Sequence, residues 1–156
     1  MSTEQPGRVA VLRDYPLRLW AEQQEHTEGL LREFALLLIG ERSGEMRDAA
    51  PGRLLALADM MTARFGPLLD SITAERQAAL DRGQDRLDSH VPMPEGTPEL
   101  LEGVRAVFED ADAFCRSGAL LMLPRSAELV ALSTWTREEL VAQYAGAAPT
   151  PWPGPF

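Results

Sequence analysis

One stretch limits the possible folds more than any other: residues 16–39, PLRLWAEQQEHTEGLLREFALLLI. Leu17, Trp20, Thr27, Leu31, Phe34 and Leu38, with Gln24 filling the gap, recur at alternating steps of three and four, the spacing of one helix face. From Leu30 onward Leu36, Leu37 and Ile39 add apolar groups on the other sides, so the last turns are expected to be central. A helix of this kind needs partners, and the remaining segments are expected to pack around it.

They supply three more helices. One should start near Pro51 and present Leu54, Leu57, Met61, Phe65, Leu68 and Ile72 on one face. Pro67 cannot donate a helical hydrogen bond and its ring meets the carbonyl of Ala63, so a kink or break is expected there. Thr97, Pro98 and Glu99 signal the next start, and Leu101, Val104, Phe108, Ala111 and Cys115 describe its face. The last helix starts near Ser126 and stops at Gly146, and a restart is expected at Thr136, whose spacing to Glu139 is that of a capping box.

Between these lie segments read as irregular. Residues 9–12 form a short apolar patch in an extended arm, 41–50 a charged loop, 90–96 (HVPMPEG) a proline-punctuated loop, and 120–123 an apolar connection covering one end of the bundle. The fold predicted is all-α: one four-helix bundle over 1–146, its second helix kinked or broken near Pro67, followed by a proline-rich tail, 147–156. In that tail, AAPTPWPGPF, prolines exclude helix and central strand. Trp152 and Phe156 make it too aromatic for a solvated tail, so it is expected to dock.

Composition narrows function. At 156 residues the chain suits one domain able to bury its own core. Cys115 is its single cysteine, so no intramolecular disulfide forms. No signal peptide is read at the start, and the longest apolar run, 34–39, falls far short of the roughly 20 residues that span a bilayer. A cytoplasmic, soluble protein is expected. Its net charge of −9 opposes phosphate backbones and anionic lipid, so neither nucleic acid nor membrane is an expected partner. All 15 basic residues are arginine and the chain has no asparagine, which reflects genome composition rather than a phosphate site.

No enzyme chemistry assembles. Glu22, Glu25, His26 and Glu28 lack the paired Glu-x-x-His pattern of bundle metal sites, and the other histidine, His90, lies in the proline loop. No metal or other cofactor is expected. Phosphotransfer through His26 lacks its usual surroundings, Cys115 sits on an apolar face, and neither a nucleophile elbow nor a phosphate loop occurs. The polar middle of the first helix stands out instead, with Gln23, Gln24, His26 and Thr27. It is buried and fixes a register, or meets a partner, or carries a dimer seam. These four, with Trp152 and Phe156, are the candidate partner-binding residues.

The runs DYPLRLWAEQQEHTEGLLREF and QYAGAAPTPWPGPF resemble small uncharacterised actinobacterial helical proteins associated with anti-sigma and anti-anti-sigma regulatory systems. The resemblance covers the two ends of the chain and includes no catalytic motif. It implies a signalling accessory. The expected function is therefore non-enzymatic binding of a protein partner, with a homodimer possible. The alternative is a small-molecule- or metal-binding bundle, conceivably an enzyme, using the polar middle of that helix.

Overall fold

Side chains of residues 9–13 alternate in burial, Val9 exposed, Ala10 buried, Val11 half-buried, Leu12 buried, Arg13 exposed, and this period of two belongs to a strand rather than a loose arm. In the computed structural model, which describes residues 8–40, 44–118 and 121–155, this strand is β1 (Arg8–Pro16). It pairs antiparallel with β2 (Arg86–Met93), with Ala10 opposite Val91, Val11 opposite His90 and Leu12 opposite Ser89. The all-α four-helix prediction is thereby overturned. The segment read as a proline loop is mostly strand, because Ser89 and Met93 point into the core and Pro92 takes a position where no ladder donor is needed.

An extra residue bulges β1 between Leu12 and Tyr15, and Asp14 there adopts φ 54°. The bulge turns the chain into α1 (Leu17–Gly40), whose first amide, Leu17 N, donates to the Asp85 carbonyl at 3.0 Å. A short helix, α2 (Glu45–Asp48), occupies part of the expected charged loop, whose residues 41–43 lie outside the described ones. Next comes α3 (Ala50–Asp81), with Pro67 inside it. Of the kink or break expected there, the break does not occur, since the helix continues through Pro67. Half-buried Phe65, Leu68 and Leu69 hold the turns on both sides of Pro67, whose own ring is exposed. The remaining helices are α4 (Thr97–Arg116) and α5 (Ala127–Tyr144). Ser126 caps α5 as expected, its Oγ accepting from Leu129 N at 3.3 Å. α5 runs on through Thr136 without a restart.

The core has two parts, and α1 serves both. Its first turns join Leu17, Leu19 and Trp20 to Leu12, Tyr15, Ala79, Leu132 and Leu140 beneath the strand pair. Its later turns join Leu30 and Phe34 to Leu54, Val107, Ala111 and Cys115, with Phe34 edge-on to Phe114 at 5.6 Å. Between the two parts lies the polar middle of α1.

Candidate functional site

That middle is rotated by one residue from the predicted face. Gln23, half-buried, takes the inward place and donates through Nε2 to Ser133 Oγ at 3.1 Å, while Gln24 is exposed. The inward stripe is therefore Trp20, Gln23, Thr27, Leu30 and Phe34, with Leu31 only half-buried. Thr27 is half-buried beside it. His26 Nε2 lies 2.8 Å from the Leu123 carbonyl oxygen. A carbonyl only accepts, so Nε2 carries the hydrogen, and Nδ1 is buried without a hydrogen-bond partner among the described residues.

Behind Gln23 lies a polar unit that the sequence reading missed. Arg125 and Asp112 form a buried ion pair in which Arg125 Nε and Nη2 donate to Asp112 Oδ2 at 2.9 and 2.8 Å and the Arg125 amide donates to Oδ1 at 3.1 Å. Arg125 Nη1 reaches Ser133 Oγ at 3.2 Å, so α1, α5 and residues 121–126 meet at one serine, and Arg125 ties them to Asp112 of α4. Such a unit satisfies buried charge by geometry.

A second buried cation, Arg76, lies under the strands. Its Nε donates to Ser89 Oγ at 3.1 Å, and its guanidinium stacks on the Tyr15 ring at 4.1 Å and faces Trp20 at 5.9 Å. Burial pushes the Tyr15 phenol above its ordinary value, while the Arg76 charge pulls it the other way. Burial likewise pushes the Cys115 thiol up, with Asp112 and Glu33 adding to the shift. A buried thiol so placed is a poor nucleophile.

The tail docks on its own domain. Trp152 is buried edge-on to Trp135 at 5.3 Å, its backbone N–H donates to the Arg13 carbonyl at 3.0 Å and its indole N–H to the Pro155 carbonyl at 2.9 Å. Thr150 is tied through its hydroxyl and amide to the buried carboxylate of Glu139. Phe156 lies outside the described residues.

The most exposed large apolar side chains lie in two places. On α1, Leu36 and Ile39 (81 % exposed) project outward, and in the connection before α5 so do Leu121 (95 % exposed) and Leu123. The predicted covering of the bundle end thus falls, among described residues, to half-buried Met122, which sits on Gly29, where an added Cβ would come within 2.9 Å of its methyl. Among the described residues no cluster of three or more histidine, cysteine or acidic side chains is arranged to hold a metal ion, and no helix is long and apolar enough to cross a membrane. No family model, curated protein or solved structure matches the chain.

Proposed function

We propose that the chain is a non-enzymatic, helix-rich regulatory protein that binds another protein through the outer face of α1 and the adjoining residues 121–123. The observation that carries this reading is the exposure of Leu36, Ile39, Leu121 and Leu123. The His26–Leu123 bond and the Met122–Gly29 contact hold 121–123 against α1. Leu36 follows Gly29 by two turns on the same face, about 10 Å along the axis. Exposed aliphatic groups on two adjoining segments mark a surface that a partner can cover. The same stripe runs back through exposed Glu25 and Glu22, so a partner with an apolar centre and a basic rim fits it.

The test compares wild type with Leu36→Glu/Ile39→Glu, both checked for native melting, by light scattering of the purified chain and by affinity capture with mass spectrometry. The expected result is a stoichiometric partner, a second copy of the chain included, held by wild type and lost in the double variant. Recovery of no stoichiometric protein by wild type would sink the reading.

A further inference from the structure

We propose that the pocket between α4, α5 and Gln23 of α1 is a binding site for a small monocarboxylic acid with an apolar body. The site is separate from the outer face of α1. It measures about 170 Å³. One wall consists of Leu101, Val104 and Phe108, which share a face of α4. A wholly apolar cavity of about 150 Å³ in another protein takes a benzene ring, so this volume suffices for one ring against the apolar wall.

The facing wall donates hydrogen bonds. Ser133 Oγ accepts from Gln23 Nε2 at 3.1 Å and from Arg125 Nη1 at 3.2 Å, which uses both of its lone pairs. Its own hydrogen is left to donate, with no acceptor among the described residues. One turn further along α5, on the same face, stands Arg137. Among the described residues its one ion-pair contact is Glu102 at 4.0 Å, and both Glu102 oxygens are already held by Arg105. Arg137 is thus the least committed charge at the site. Among the described residues three arginines and no carboxylate line the cavity, and of these Arg105 and Arg125 already hold their own carboxylates outside it. A carboxylate set between the Ser133 hydroxyl and the Arg137 guanidinium accepts from both, and its apolar body lies against Phe108 and Val104.

Benzoate is the probe, used with the full chain and followed by calorimetry and by amide chemical shifts. The expected result is saturable binding with shifts centred on residues 101–108 and 133–137. Benzyl alcohol, which keeps the ring and lacks the charge, should bind about tenfold more weakly, and Arg137→Gln should weaken benzoate by about tenfold or more. Val104→Phe should abolish binding by filling the wall. Arg137 is partly exposed, so Arg137→Gln is expected to keep the native spectrum outside α5. Absence of saturation by about 10 mM benzoate overturns the proposal, as does equal affinity in Arg137→Gln, or shifts centred elsewhere.

Discussion

Gln143 holds both outward-facing backbone groups of Val11: the Val11 N–H donates to Gln143 Oε1 at 2.9 Å, and Gln143 Nε2 donates to the Val11 carbonyl at 2.9 Å. One side-chain amide stands where a third strand would be. Opposite Val11 in the register, His90 N–H is taken by Glu75 Oε1 at 3.1 Å, and two residues further Pro92 has no N–H to offer. A two-stranded sheet has two open edges, and here a helix side chain seals the middle of each.

Gln143→Ala should therefore cost about 1–3 kcal/mol, because it strips both partners from Val11. Gln143→Glu should cost more, since a carboxylate would face the Val11 carbonyl and stand beside the buried Glu139 carboxylate. Urea unfolding measures both. Equal stability of wild type and Gln143→Ala would mean that water replaces the amide freely.

The Arg125–Asp112 pair makes a different prediction, because each side chain is only 7 % exposed. Asp112→Ala leaves the guanidinium buried and uncompensated, and should cost about 3–5 kcal/mol. Replacing both, Asp112→Leu with Arg125→Met, should recover much of that loss. A double-mutant cycle with no coupling would show that the two act independently.

How much of this was legible in the sequence differs by element. The helix start near Ser126 and the glycine stop at Gly146 are local signals, and the structure has both. The face of α1 was not, for a reason internal to helix geometry. Trp20, Gln24, Thr27, Leu31, Phe34 and Trp20, Gln23, Thr27, Leu30, Phe34 both step by three and four, and adjacent glutamines and leucines make them equal in composition. Only the neighbours choose. The strand pair was hidden because its halves lie far apart in the chain and Pro92 and Pro94 mark 90–96 as a proline-punctuated loop. The ion pair had no signal at all: Arg125 is one of 15 arginines, and its partner lies 13 residues away on another element. Leu121 and Leu123 read the same whether buried or exposed, so the outer apolar face needed coordinates.

Tyr15 gives a pH dependence whose sign is fixed by its raised phenol. Below the unfolded value of about 10 both states hold the proton and stability is unaffected. Above it the unfolded chain ionises first, so the folded state binds more protons and stability falls as pH rises toward the folded value. A melting series from neutral to strongly alkaline pH should show this loss, and Tyr15→Phe should flatten it. Of the two tyrosines, absorbance titration should show one ionising late in the native protein.

The tail prediction follows from what Trp152 and Thr150 each hold in place. Trp152 is 7 % exposed against Trp135, so Trp152→Ala removes a buried aromatic and should cost about 3–5 kcal/mol. Thr150→Val keeps the shape but takes a donor from the Glu139 carboxylate, itself 9 % exposed, which then retains the Thr150 amide and Gln143 Nε2 at 2.9 Å. About 1–2 kcal/mol is expected. Deletion after Gly146 removes both contacts and the Trp152 N–H bond to Arg13 that braces β1, so it should destabilise more than either substitution. That order, deletion above Trp152→Ala above Thr150→Val, is what urea unfolding should return. A truncated chain as stable as wild type would mean that the docked tail adds no net stability to the domain it covers.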